Sequence, residues 1–323
     1  MEGIASRRTN PRIGYGFAVL NACISGVSVY VNSLGVATFQ NPTLYAAVKN
    51  SIVGLLLLTP LLFLARERAR HRETSGTDWA WLTVLAVVGG SVPYALFFTG
   101  LKMTNAVTGS VGDHLQFALV AVLAVLLLKE RITPAIWAGL LVLLAGVLLS
   151  TNLNLFRWNT GTALILASTA LFSIEWVIVK YLLRGRLTPL MVMTAKMTLG
   201  SLLLFAYVAA TGALAPVFHL NGKQWAYVLA TALILLGFTA SIFIAIRHAR
   251  VSAVMAIGAG SPLVTIAIQL IANHQVKLAN GGVGLVLTLV AVITILLMGL
   301  RQESREASQA RSSGQALPAT SRV

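Results

Sequence analysis

Apolar residues in this chain fall into a series of runs, each close to the length of a bilayer crossing and nearly free of charge, separated by short polar turns. At 1.5 Å rise per residue, about 20 apolar residues span the hydrocarbon as a helix, a structure that satisfies its own backbone groups in lipid. Ten spans are predicted: Ile13 to Val36, Thr43 to Ala65, Trp79 to Leu101, Asn105 to Leu128, Ile132 to Ser150, Gly161 to Leu183, Pro189 to Gly212, Gln224 to Ile246, Ser252 to Ala272 and Gly282 to Leu300. Turn chemistry marks the breaks, as at Asn41-Pro42, Ser75-Gly76-Thr77-Asp78, Thr133-Pro134, Asn159-Thr160-Gly161, Thr188-Pro189 and Asn280-Gly281-Gly282.

Composition agrees: 57% of residues are apolar, 10% are charged and the mean hydropathy is +0.83, outside the range of soluble domains. A formal charge of +15 suggests a polyanion partner until its distribution is read. With ten spans and both termini inside, eighteen basic residues fall on the inner side, among them Arg7, Arg8, Arg12, Arg66, Lys129, Lys180, Arg184, Arg247, Arg250 and Arg301. Only Lys102, Arg157, Lys223 and Lys277 fall outside. The basicity therefore reads as topology and not as a nucleic-acid site, and it predicts a multi-pass protein of a plasma membrane, the inner membrane in a bacterium, with cytoplasmic termini. The first apolar run has no small-residue cleavage motif after it and is read as a retained helix. A single cysteine, Cys23, allows neither an intramolecular disulfide nor a thiolate metal cluster.

At an offset of 145 residues, Thr104 to Gly139 lies over Ala249 to Gly284 without gaps, and Gly100-Leu101-Lys102 falls on Ala245-Ile246-Arg247. Five spans per half is an odd number, so the second copy enters the membrane inverted. The expected organisation is a cytoplasmic segment 1–12, a first repeat 13–150, a linker 151–160, a second repeat 161–300, and a Ser-, Gln- and Ala-rich tail 301–323 expected to be disordered. An all-α membrane protein of ten helices in two inverted five-helix repeats is the architecture that recurs in secondary transporters.

The stretch Phe97 to Leu149, "FFTGLKMTNAVTGSVGDHLQFALVAVLAVLLLKERITPAIWAGLLVLLAGVLL", resembles the fourth and fifth helices of an EamA-type repeat of the drug/metabolite transporter superfamily. Glu130, Thr133, Gly139 and Gly146 match its pattern of a Glu, a short Thr-containing turn and a Gly-rich closing helix. The second copy, Ala245 to Leu297, keeps Pro262 and Gly284 but carries Gln275 where Glu is usual, and Phe117 stands where the first copy often has Pro. The resemblance covers about residues 13 to 299 and implies a carrier with a central cavity between two pseudosymmetric bundles.

Charge deep inside a span is costly and marks candidate chemistry. Of nine acidic residues only Asp113 and Glu175 lie there, along with two lysines, Lys49 and Lys196, each in the second span of its half. Counting about 1.5 Å per residue from helix starts puts Asp113 and Lys49 toward the outside, and Glu175 and Lys196 toward the inside at nearly one depth. Two pairs are expected, Asp113 with Lys49 and Glu175 with Lys196, forming alternately as the cavity changes sides; snorkelling of the lysines toward water is the competing account. Gln116 shares a helix face with Asp113, whereas His114 points about 100° away and is either a proton carrier or a hydrogen-bonded structural residue. Gly89, Gly90 and Pro93, followed by Tyr94, mark an irregular third span, as Gly258, Gly260 and Pro262 do the ninth. Trp176 either stacks on substrate or faces lipid.

These features predict a secondary transporter and not an enzyme. No Gly-x4-Gly-Lys-Ser/Thr pattern for nucleotide phosphates occurs, and the histidines are dispersed at 71, 114, 219, 248 and 274, so no catalytic, cofactor or metal residues are assigned. The resemblance implies export of small metabolites such as amino acids, with the proton as candidate coupling ion. An exchanger of phosphorylated or nucleotide-linked sugars and a non-transporting scaffold or sensor are the alternatives. The Gly- and Leu-rich fifth and tenth spans are the candidate surface for a homodimer.

Overall fold

Helix-capping residues set where each element begins. In the computed structural model, which describes residues 10–64, 74–104, 106–130, 134–150, 158–185, 187–261, 264, 268 and 281–312, the Asn41 side chain accepts from the amides of Thr43 and Leu44 to start one helix, and Thr188 accepts from Met191 to start another. Reciprocal capping boxes, Ser75 with Asp78, Asn159 with Thr162 and Asn221 with Gln224, begin three more. The elements are α1 (Pro11–Val36), α2 (Pro42–Phe63), α3 (Gly76–Leu85) continuing through a π turn (Ala86–Ser91) into α4 (Val92–Met103), α5 (Ala106–Leu128), α6 (Pro134–Ser150), α7 (Thr160–Arg184), α8 (Pro189–Ala210), α9 (Gly222–His248), α10 (Val251–Gly258) and α11 (Gly281–Ser312). No strand occurs among the described residues.

Among the described residues six helical stretches are long and apolar enough to cross a membrane: Pro42–Phe63, Gly76–Gly100, Thr160–Arg184, Pro189–Ala210, Gly222–His248 and Gly282–Gln302. Leu119–Leu128 and Trp137–Gly146 are shorter apolar stretches. Two expectations change. The ninth span, Ser252 to Ala272, is interrupted: α10 stops at Gly258, the chain turns at Ala259 and Gly260, where small residues offer little resistance to leaving the helix, and Ser261, Val264 and Ile268 are helical again. Beyond it, Pro262 and Gln275 lie outside the described residues. The tail is not irregular from 301 onward, because α11 continues to Ser312 through Gln, Glu, Arg and Ala, strong helix formers that need no core to stay helical for a few turns. Residues 313–323 are outside the described set.

The surface is apolar and the polar residues are inside, the reverse of a soluble protein. Leu55, Leu62, Phe63, Leu126, Leu141, Leu202, Leu233 and Val283 point outward, each more than half exposed, while Asn21, Asn50, Thr169, Ser173, Thr231 and Thr239 are buried. Exposed aliphatic area of this extent belongs against acyl chains.

Helices from the two halves interleave: α1 packs on α9, α4 and α5 on α7, α2 on α8, and α6 on α11. Corresponding contacts recur. Gly100 meets Gly161 where α4 crosses α7, and Gly14 meets Ala249 where α1 crosses α9; a Cβ on either Gly100 or Gly14 would lie 2.6–2.7 Å from the facing atom. Asn159, the N-cap of α7, donates to the carbonyl of Met103 at the end of α4 (3.0 Å), and the amide of Asn10, the N-cap of α1, donates to Nδ1 of His248 at the end of α9 (3.1 Å). Gly139 and Gly146 of α6 face Ile295 and Gly284 of α11, so the small faces of the fifth and tenth spans are used against each other.

The ends of α7 fix the polarity of the bundle. Its start touches Met103, and near its end the ammonium of Lys180 donates to the carbonyls of Ile246 and Ala249, both at 2.6 Å. Twenty residues of helix, about 30 Å, separate the two contacts. Positions 103 and 248, equivalent in the sequence repeat, thus lie at opposite ends. Arg184, which donates to the carbonyl of Leu128, gathers with Arg247 and Arg250 at the His248 end.

Glu130 ties the halves together there. Lys129 takes the left-handed conformation (φ 54) that ends α5, and the turn carries the buried Glu130 beneath α10. Its carboxylate accepts from the amides of Val251 (3.0 Å) and Ser252 (3.3 Å) and from the Ser252 hydroxyl (2.7 Å), capping α10 from the other half of the chain.

Candidate functional site

The π turn at Ala86–Ser91 is the local irregularity around which the site is built. Pro93 has no N–H and its ring would clash with the carbonyl four residues back in a regular helix; widening one turn relieves both problems. The turn presents two glycines to the second half. A Cβ on Gly90 would sit 2.7 Å from the Lys196 carbonyl and 2.9 Å from Cα of Gly200, so the two backbones touch. A Cβ on Gly89 would sit 2.5 Å from Cγ and Cδ of Glu175.

Against this surface Glu175 of α7 and Lys196 of α8 form an ion pair through Oε1, with the two side chains 0% and 4% exposed. The ammonium also lies over the Trp176 ring, whose centroid is 5.2 Å away. Trp176 is itself buried and packs edge-on against Phe243 of α9 at 6.0 Å, which places it inside the bundle and not toward lipid. Tyr94 of α4, within electrostatic reach of Lys196, meets Phe172 of α7 edge-on at 5.1 Å. Two buried polar atoms here have no hydrogen-bond partner among the described residues, Oε2 of Glu175 and Nε1 of Trp176: one acceptor and one donor on adjacent residues. An arrangement of this kind can hold a small polar group between aromatic walls, and it can exchange a proton or a cation for the lysine at the carboxylate.

Gln116 of α5 is half-buried and its carbonyl lies 3.5 Å from the Ser173 hydroxyl, bringing α5 to α7 one half-turn before Glu175. Asp113 and His114 occupy the preceding turn of α5, and their side chains lie outside the described residues. Beyond the π turn, a groove of about 450 Å³ is walled by Val87, Ser91, Val92, Leu164, Leu204 and Tyr207.

Lys49 does not join this cluster. It sits seven residues after Pro42 as Lys196 sits seven after Pro189, the same helical position in α2 and α8, but its Nζ donates to Oδ1 of Asn32 at 2.9 Å and lies 5.0 Å from the Tyr45 ring centroid. Among the described residues its hydrogen-bond acceptor is this neutral amide; the expected pairing with Asp113 falls on a side chain outside them. Lys49 is 6% exposed, so it is held inside the protein and does not snorkel. The Tyr45 hydroxyl lies within hydrogen-bond distance of Oδ1 of Asn32 (2.9 Å) and Oγ1 of Thr231 (2.7 Å), and the neighbouring Asn50 leaves its Oδ1 unpartnered among the described residues. Asn32, Tyr45 and Thr231 were not singled out from the sequence. Tyr45, four residues before Lys49 on one face of α2, and Asn32, polar within an apolar run, are the signals that mark them.

Buried ionisable groups on facing helices, an apolar exterior and corresponding contacts in two halves are features of a membrane carrier. Residues 12–152 match the EamA-like transporter family. Within this EamA-like segment the resemblance read from Phe97 to Leu149 is therefore borne out. Three curated relatives align over less than half of the chain: an uncharacterized transporter from Sinorhizobium sp. at 24% identity over 41% of the chain and 92% of its own length, one from Synechocystis sp. at 29% over 43% and 41%, and the transporter YyaM of Bacillus subtilis at 25% over 42% and 41%. The chain thus spans less than half of the latter two proteins. A solved crystal structure aligns with 90% of this chain and 97% of its own at a TM-score of 0.67 and 18% identity, so the helical arrangement is shared beyond the EamA-like segment.

Proposed function

We propose that the chain is a secondary transporter which exports small metabolites such as amino acids across a plasma membrane by alternating access, with both termini cytoplasmic and with proton coupling. The observation that carries this reading is the Glu175–Lys196 pair, buried in the bundle against Gly89, with Oε2 of Glu175 and Nε1 of Trp176 left unpartnered beside it. A permanent structural ion pair gains nothing from an orphaned buried acceptor, which costs about 1–3 kcal/mol; a binding site does. In the proposed cycle a proton or a substrate ammonium competes with Lys196 for Glu175. Loss of the pair loosens α7 and α8 from the π turn, and the cavity changes sides.

Two inverted repeats, 13–150 and 161–300, whose helices interleave, are the proposed framework of the cycle. The paired contacts at Gly100/Gly161 and Gly14/Ala249, and at Asn159/Met103 and Asn10/His248, support this. Cysteines placed at positions 102 and 247 in a Cys23→Ala background should label from opposite faces of the membrane, with 247 on the cytoplasmic one. Labelling of both from one face contradicts the inversion.

Transport is tested in proteoliposomes with an amino-acid panel, with and without an imposed pH gradient. Wild type should accumulate or release substrate in response to the gradient, and Glu175→Gln should lose the response. A gradient response that survives in Glu175→Gln removes that carboxylate from coupling. One observation favours a second reading, exchange of phosphorylated or nucleotide-linked sugars: Lys49 is a buried cation hydrogen-bonded to an amide and not a carboxylate among the described residues, a suitable partner for a substrate anion. Counterflow of a sugar phosphate, abolished in Lys49→Met, would select it.

A further inference from the structure

A second cavity, of about 610 Å³, opens at the basic end of the bundle between the start of α1 and the end of the apolar part of α11. Its rim carries two guanidinium groups, Arg12 and Arg301, and its wall is aliphatic, from Val19 on one side to Leu296 and Leu300 on the other. Tyr15 closes the floor, wedged against Gly299, where a Cβ would lie 2.6 Å from the phenol oxygen. Gly16 keeps the wall open: a Cβ there would meet nothing within 4 Å. No carboxylate among the described residues pairs with either arginine.

Charge and shape together select the occupant. From Arg12 to Val19 the groove runs about 10 Å along α1, the length of the upper half of an acyl chain. Its charged rim lies at the helix ends, where headgroups lie, and its walls face outward into the apolar belt, as the exposure of Ile13 and Val19 shows. Two arginines over an aliphatic slot match a phosphodiester with a chain attached; a soluble anion would leave the slot empty, and a neutral lipid would leave the arginines unpaired. We infer that this groove is a binding site for one anionic phospholipid, which holds α1 against α11 through its phosphate and fills the space opened by Gly16 with its acyl chain. The site is separate from the Glu175–Lys196 cluster and does not rest on the transport reading.

The purified full chain in detergent is titrated with phosphatidylglycerol and with phosphatidylcholine, and bound lipid is counted by native mass spectrometry. Phosphatidylglycerol should bind about tenfold or more tightly in preference. Arg12→Gln with Arg301→Gln should remove the preference, and Arg12→Lys with Arg301→Lys should retain most of it. Gly16→Phe, which fills the groove without touching a charge, should lower binding of phosphatidylglycerol itself about tenfold. Equal binding of the two lipids by wild type, or an unchanged preference in the double Gln variant, overturns the assignment. Displacement of the lipid by millimolar glycerol phosphate also overturns it, because the headgroup alone would then be the ligand. If the Gln pair fails to elute as a folded species, the Gly16→Phe result decides.

Discussion

The Glu175–Lys196 pair permits a quantitative test. Both groups are buried, 0% and 4% exposed, so removing either partner strands the other in a medium of low dielectric. Breaking such a pair from one side costs about 3–5 kcal/mol, whereas replacing both partners with apolar residues of similar size is close to neutral. Unit charges about 4 Å apart attract by about 4 kcal/mol at an effective dielectric constant of about 20, which sets the expected coupling. Oε2 of Glu175 already lacks a partner, so Glu175→Leu removes one unsatisfied acceptor as well, and the double variant Glu175→Leu/Lys196→Met should approach wild-type stability. The cycle of two single variants and the double is measured by reversible unfolding in mixed detergent and SDS micelles. Single losses of about 3–5 kcal/mol that fail to add by about 3–4 kcal/mol support the pair as described. Additive losses, or single variants that cost less than about 1 kcal/mol, refute it, because a cation and a carboxylate buried in contact cannot act independently. Transport should be absent in all three variants, which separates the folding role of the pair from its proposed role in the cycle.

The two glycines of the π turn should respond differently to the same change. Gly89→Ala pushes on the movable end of Glu175 and is expected to cost under about 1.5 kcal/mol while reducing transport at least tenfold; Gly90→Ala presses backbone on backbone and is expected to cost about 1–3 kcal/mol or more, read by the same unfolding assay. Glu130→Ala should destabilise by about 2–3 kcal/mol through loss of the three bonds that cap α10, and Glu130→Gln should recover roughly half of that; an unchanged melting temperature for Glu130→Ala contradicts the capping role. Asn32→Leu leaves the buried Lys49 ammonium without its acceptor and should cost about 3 kcal/mol, which Asn32→Leu combined with Lys49→Met should largely restore; the thermal stability of the three proteins checks this.

Much of this architecture is legible in the sequence because it is written in local chemistry. Asn41, Ser75, Asn159 and Thr188 start helices through bonds two or three residues away, so the turns that contain them predict the boundaries. Depth along a helix is also local arithmetic, and it is enough to put Glu175 level with Lys196. What the sequence hides is long-range. Lys49 shares the helical position of Lys196, yet among the described residues it donates to Asn32, a neutral residue that a search for opposite charge passes over. Glu130 stands in a recognisable motif, but its task, capping a helix 121 residues away, depends on how the halves interleave. Gly89, Gly90 and Pro93 signal an irregular span without saying that the turn widens or that the second glycine meets Gly200. The helix beyond Arg301 is hidden for the opposite reason: the segment has no apolar face to bury, and propensity decides.

The contact between Gly90 and Gly200 joins the two halves without any intervening side chain. Interdigitated side chains resist rotation and give way by repacking, but bare main chain against bare main chain has no ridges to climb. Such a crossing acts as a fulcrum: it can swivel while its separation stays fixed. Because it lies beside Lys196, part-way between the two ends, a tilt that spreads the helices at one mouth must draw them together at the other.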